Sequence, residues 1–465
     1  MKQRSISPLL FALAAPLMGA APAPNYAEMM KALHVPGMVV VVAERGSIVS
    51  NDAYGVKNLK TQQPVDVHTR FEIGSITKQF TAAAILQLKE RGLLSLDDRL
   101  SKYVPQYSAG SRITLRDMLL QISGIPNYTD TKAFGKLIVK QNGTYVLAKP
   151  GDVAGVLALI EHQRLDFAPG SKWEYSNSNY FLLGHVVELV AHQPWSAYIR
   201  EHIFNPAGMS ESGFMEDEAA FPDMATGYAD DKGVPTPAGS FRGWAGGAGA
   251  IVSTGTDLAK WDDALASGKI VSADDLQLMM APGFLPAIGN GHYGFGWVID
   301  TYDGQPRVWH NGGTLGFNSS NQLYPATHQA IVVLTNSGAG ADTLADRTFD
   351  ALHPDLAAAQ NTPASGEDPA ITARAKAIWA QFAAGTPDRS QFDDKMNKAL
   401  TPDLVAQAKQ FATLGPATSW VYTGRKSQAG VTTYVYRVAF SSGTRLNVYM
   451  SVDADGKIGG YLATP

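Results

Sequence analysis

The sequence predicts an α+β fold: one antiparallel sheet formed from both ends of the main domain, a helical subdomain beside it, and a small C-terminal α+β domain. Three observations predict it. Strand-like runs lie at residues 37–56 and return after about 290, and the interval from about 113 to 280 reads mostly helical. A polar stretch at 357–370 then separates a C-terminal segment of different texture.

Taken in order, "MKQRSISPLLFALAAPLMGAAPAP" runs from Lys2 and Arg4 through an apolar stretch to small residues, the layout of a secretory signal peptide, assigned here to residues 1–23. It predicts export to the periplasm or the extracellular space, and cleavage between Gly19 and Asn25. No later apolar run approaches membrane-spanning length. "GMVVVVAERGSIVSNDAYGV" (37–56) reads as two strands around a turn at Arg45–Ser47, and "SITKQFTAAAILQL" follows as a helix, with Phe80, Ala83, Ala84 and Leu88 at helical spacing. "ITLRDMLL", "GVLALIEHQRL", "NYFLLGHVVELVAHQ" and "TDLAKWDDALASG" make the helical middle. "HYGFGWVID", "RVWHNGG", "GFNSSNQLY" and "QAIVVLTN" are short, turn-bounded and rich in β-formers, which suits an antiparallel meander. The main domain is therefore drawn at 24–356, a linker at 357–370 and the small domain at 371–465, with helices to about 413 and four strands beyond.

Composition narrows the chemistry. The 465 residues are 45% hydrophobic and 17% charged, as in ordinary globular proteins. There is no cysteine, hence no disulfide framework and no thiol nucleophile. The ten histidines form no H-E-x-x-H or comparable cluster, so neither a metal site nor a cofactor is predicted. The formal charge of −4, more negative still without Lys2 and Arg4, argues against nucleic acid as a partner and leaves a small molecule or peptide as substrate. Oligomeric state is not legible.

Serine-based acyl transfer needs a base within hydrogen-bond reach, a second proton carrier and donors for the oxyanion. Three stretches could supply them: Ser75-Ile76-Thr77-Lys78 at a helix start, Tyr175-Ser176-Asn177 before a long apolar helix, and His310-Asn311-Gly312-Gly313 on a strand edge. Taken singly, each has a plainer role: Ser75 as a helix cap with Lys78 reaching water, Tyr175 as packing, His310 as a structural hydrogen-bonder. Together, in this order, they are far more specific.

The set resembles the serine β-lactamase and penicillin-binding-protein family, described by S-x-x-K, a Tyr- or Ser-x-Asn element and K-T-G, in the branch with class C β-lactamases, DD-carboxypeptidases, D-amino acid peptidases and esterases. The likeness spans about 30–350 and includes "GGAGAIVSTGTDLAKW" and "YGFGW" as framework segments. It implies Ser75 as the acylated nucleophile, Lys78 as its base or relay, and Tyr175 as the group exchanging protons with nucleophile and leaving group. Asn177 would hold the substrate amide, His310 and Gly312 would meet substrate on the sheet side, and the Ser75 and Gly313 amides would form the oxyanion hole.

Two departures matter. His310 stands where typical β-lactamases carry lysine, which weakens capture of a substrate carboxylate. Gln121-Ile122-Ser123-Gly124 replaces the frequent His-Thr-Ser-Gly, altering one cleft wall. The expected function is a secreted serine hydrolase acting on an ester or a D-amino acid peptide or amide. A class C-like β-lactamase is the alternative, and a non-catalytic binder of cell-wall fragments is the alternative from another class. Gly74-Ser75-Ile76-Thr77 breaks the G-x-S-x-G elbow of α/β-hydrolases.

Overall fold

The structure is a computed structural model that describes residues 24–231, 233–287, 291–428 and 430–464; the expected signal peptide lies outside the described residues. Its dominant element is an eight-stranded sheet, paired antiparallel throughout. From one edge it runs His292–Tyr293, Val298–Tyr302, Gln305–Gly313, Asn318–Tyr324 and Gln329–Thr335, then passes to the N-terminal strands Gly37–Glu44, Ser47–Asn58 and Gln63–Pro64. The closure between the two ends is the pairing of Val40 with Val333 and its neighbours.

The run Met38-Val39-Val40-Val41-Val42 is apolar without alternation because both faces of its strand are covered. Val39, Val41 and Ala43 face the main core, while Met38 and Val40 face a second cluster built with Tyr26, Leu344 and Phe349 from the helices Tyr26–Ala32 and Ala341–Leu352. On the main-core side stands the helix Thr77–Glu90, buried on nearly all sides, its Ala82-Ala83-Ala84 run letting the helix Asn177–Ala191 and the turn Gly246–Gly249 approach closely. Such all-round burial suits a helix inside a large domain.

The middle of the chain is less purely helical than expected. A four-stranded sheet is built from the hairpin Ile138–Gln141 and Thr144–Leu147 with Gly227–Asp231 and Val234–Ala238. Asn142-Gly143, with φ of 50° and 80°, makes the hairpin turn, a local signal overridden in the sequence by the surrounding helical pattern. A three-stranded sheet orders Phe71–Glu72, Ile251–Ser253 and Gly213–Phe214, and so fixes the residues just before Ser75.

At the C-terminal end, four antiparallel strands, Ala417–Gln428, Val431–Phe440, Arg445–Val452 and Ile458–Thr464, pack on the helix Pro369–Ala384 through a separate core of Ile378, Trp379, Phe382, Tyr436, Val448 and Met450. The stretch read as a linker begins inside the helix Pro354–Gln360, and its Ala364 amide donates to Tyr422 O at 2.8 Å. This segment meets the rest of the chain through charge: Arg445 bonds Asp350 at 3.0 Å, Arg437 and Arg445 flank Asp303 at 3.6 and 3.5 Å, and Arg347 donates to Gly443 O at 2.7 Å.

Candidate active site

Ser75 sits in a single tight turn, Gly74–Ile76, that feeds directly into the helix Thr77–Glu90. Gly74 has φ of 50°, and a methyl there would stand 2.7 Å from the Gly313 amide nitrogen. The turn and the end of the strand Gln305–Gly313 are thus in contact, with the backbone of Ser75 and Gly313 on one cavity wall. Gly312 is required for that contact, since a Cβ would fall 1.9 Å from Ile73 O.

Lys78 is one helical turn past Ser75 and is completely buried. Its Nζ lies 2.9 Å from Ser75 Oγ, 2.8 Å from Asn177 Oδ1 and 2.8 Å from Ala248 O. It also stands 4.8 Å above the Tyr175 ring. With no carboxylate among these partners, burial drives its pKa well below the ordinary lysine value. Tyr175, from the extended segment before the helix Asn177–Ala191, brings Oη to 2.8 Å from Ser75 Oγ. Burial raises its pKa, opposed in part by the Ser75 bond.

These contacts allow two proton distributions. A neutral Lys78 amine donates its two hydrogens to Asn177 Oδ1 and Ala248 O and accepts the Ser75 hydroxyl proton, while Tyr175 donates to Ser75 Oγ. An ammonium at Lys78 would send a third hydrogen to Ser75 Oγ, and the Ser75 proton would then turn to the cavity or to an ionised Tyr175. Burial disfavours both the ammonium of Lys78 and an ionised Tyr175.

Asn177 is held from the other side, its amide N donating to Asn127 Oδ1 at 3.0 Å and its Nδ2 to Thr129 Oγ1 at 3.2 Å. Beside Ser75 opens a cavity of about 210 Å³ walled by Tyr128, Asn177, Phe241, Ala248, Gly313 and Thr314 among others, all uncharged. It is smaller than pockets for drug-sized ligands, so it admits a short acyl group or side chain.

The structure therefore brings together Ser75, Lys78, Tyr175, Asn177 and the Gly313 backbone. Two of the expected substrate-side residues are more enclosed than the sequence suggests. His310 is 3% exposed and does not line the cavity: its Nδ1 is 2.5 Å from Asn311 O and its Nε2 2.9 Å from Tyr293 Oη. Burial first, and Lys78 second, push its pKa down to about 3. Gly312 is likewise sealed against Ile73, its carbonyl taken by Asn318 Nδ2 at 2.9 Å. Both lie on the strand face pressed on the turn carrying Ser75, with the His310 ring 6.1 Å from that of Tyr175. Sequence reasoning passed over Asn127, Tyr128 and Thr129, whose "PNYT" carries only a turn signal. It treated Ala248 and Tyr293 as framework, although they hold Lys78 and His310.

Comparison with known proteins gives a consistent picture. The family described as Beta-lactamase matches residues 23–354. Over 309 residues the chain is 32% identical to the Bacillus subtilis protein named "Putative penicillin-binding protein PbpX", covering 66% of this chain and 72% of that one. Among solved structures, a D-stereospecific amidohydrolase from Streptomyces sp. shares 25% identity at a TM-score of 0.58, covering 70% of this chain and 98% of that chain. The octameric penicillin-binding protein homologue from Pyrococcus abyssi shares 22% identity at a TM-score of 0.64, and covers 92% of this chain and 94% of that one, a likeness of fold that extends into the C-terminal segment.

Proposed function

Because the chain belongs to the beta-lactamase family, we propose that it is a serine hydrolase that forms an acyl-enzyme on Ser75 and acts on an ester or on a D-amino acid peptide or amide. One observation carries this reading: Ser75 Oγ is shared by a buried lysine amine that faces no carboxylate and a half-buried phenol at 2.9 and 2.8 Å. In acylation, Ser75 Oγ attacks the carbonyl carbon as its proton passes to Lys78 Nζ, and the Ser75 and Gly313 amides receive the developing oxyanion. Collapse breaks the scissile bond while the leaving oxygen or nitrogen takes the Tyr175 proton, and the ammonium of Lys78 restores the phenol. Water then attacks the acyl carbon with its proton drawn to the same pair, and Ser75 leaves with a proton returned. The D-stereospecific amidohydrolase likeness supports the substrate class.

The test is labelling and turnover. Wild-type protein should take up a fluorophosphonate at Ser75, read by intact mass, and hydrolyse a short-chain nitrophenyl ester, and Ser75→Ala should do neither. Fast turnover of a chromogenic cephalosporin would favour a β-lactamase instead. Absence of both label and turnover would leave a binding protein.

A further inference from the structure

Behind the wall that carries Ser75, four buried oxygens gather without a hydrogen-bond partner among the described residues: Glu72 Oε2, Glu218 Oε1, Ser240 Oγ and Thr314 Oγ1. Glu72 ends the strand Phe71–Glu72, two positions before Gly74, and is 2% exposed. Its carboxyl meets that of Glu218, from the turn Met215–Ala220, and faces the Thr314 hydroxyl, while the Ser240 hydroxyl faces Glu218. Thr314 lines the cavity one residue past Gly313, and Ser240 precedes Phe241, which lines it as well. The two carboxyls therefore meet where three segments converge: the strand leading to Ser75, the strand end at Gly313, and the stretch before Phe241.

Two buried carboxylates in contact repel, and neither brings the other a proton. The charged groups facing them do not resolve this. Arg242, half exposed, lies 3.7 Å from Glu218 Oε2 and serves that carboxyl alone. Glu216 adds a further negative charge, is exposed, and accepts from Gly243 N at 3.0 Å. Val252, opposite Glu72 on the neighbouring strand, brings no charge. One proton removes the conflict: placed on Glu72, the deeper group, it gives a neutral acid that donates to an ionised Glu218, which keeps Arg242. Burial first, and Glu218 second, hold Glu72 well above the usual carboxylate range, in accord with that placement.

Resting on the serine-hydrolase reading, we propose that Glu72 is a positioning residue: as a neutral acid it donates to Glu218, and this one-proton pair ties the strand before Ser75 to the segments of Gly313–Thr314 and Phe241, keeping the two oxyanion amides at their working separation. Loss of the proton puts two like charges between those segments. The closure is therefore whole on the acid side of the pair's ionisation and is lost as pH rises through it.

The test separates the proton from the shape. Glu72→Gln, an uncharged isostere of the protonated acid that still donates to Glu218, should keep kcat on a neutral nitrophenyl ester within about threefold of wild type, and its rate relative to wild type should climb with pH. Glu72→Leu has no proton to give and should lose about tenfold or more in kcat, as when an oxyanion donor is misplaced. The proton is also read without turnover: the infrared difference between wild type and Glu72→Gln at pH 7 should contain the carbonyl stretch of one protonated carboxylic acid. In Glu218→Gln, which removes the neighbouring charge, that band should titrate at lower pH than in wild type. Absence of the band, an unmoved titration in Glu218→Gln, or an equal kcat loss in folded Glu72→Gln and Glu72→Leu overturns the proposal. If Glu72→Leu does not fold, the band and its titration decide. No label on Ser75 and no ester turnover would defeat the hydrolase reading itself, while the infrared arm still judges the pair.

Discussion

Lys78 Nζ lies 2.9 Å from Ser75 Oγ at the mouth of a cavity, while its other two partners, Asn177 Oδ1 and Ala248 O, are uncharged. A primary amine so placed gives up its proton more readily than an exposed lysine, because burial without a counter-anion disfavours its ammonium. Replacing Lys78 with arginine, whose guanidinium stays protonated, should abolish activity on esters by more than about a thousandfold, near the loss of a whole nucleophile-base pair. In wild type the acid limb of kcat/KM should fall well below the ordinary lysine range, measured as a pH profile on a neutral ester.

Tyr175 reaches the same oxygen from the opposite side. Tyr175→Phe keeps the ring over Lys78 and removes only the proton carrier, so kcat should drop on the order of a hundredfold or more with folding intact. A near-normal kcat would take Tyr175 out of the proton path.

Adjacent glycines should behave oppositely. A methyl on Gly312 would strike Ile73 O at 1.9 Å, whereas one on Gly313 meets nothing within 4 Å. Gly312→Ala should lower Tm by several degrees, in keeping with a cost of about 1–3 kcal/mol for overpacking, and should depress activity by shifting the turn of Ser75. Gly313→Ala should melt as wild type, checked by calorimetry on both variants.

Asp262, 6% exposed, accepts from Asn321 Nδ2 at 2.8 Å, and its Oδ2 has no partner. Burial raises its pKa to about 8. A carboxyl raised in the folded state stays protonated while the unfolded chain ionises from about pH 4, so this group's stabilising contribution is whole below that pH and is lost as pH rises toward 8, at up to about 1.4 kcal/mol per unit. Asp262→Asn should flatten the decline in denaturant midpoint between pH 5 and 8. An unchanged slope would show that Asp262 titrates normally.

Asp303, at the tip of the hairpin before Gln305–Gly313, is clasped by Arg437 and Arg445. The strand separates this tip from Gly312 by roughly 30 Å at about 3.3 Å per residue, so the C-terminal segment grips the sheet far from Ser75. Asp303→Ala should raise proteolysis near residues 361–368 and lower Tm, with kcat on a small ester within about threefold of wild type.

The sequence by itself determined the sheet joined from both ends, the helix opened by Ser75 and Lys78, and the candidates Tyr175 and Asn177, because hydrophobic period and short motifs are local properties of the chain. The Asn142-Gly143 hairpin was legible too, but a lone turn signal does not outweigh a helical neighbourhood. Only the tertiary structure decided that Lys78 lacks a counter-charge, that Ala248 and Asn127 complete the site, and that His310 turns into the wall against Tyr293 instead of toward the cavity. Charge state and direction depend on burial and on partners tens to hundreds of residues away, and no pattern along the chain encodes that distance.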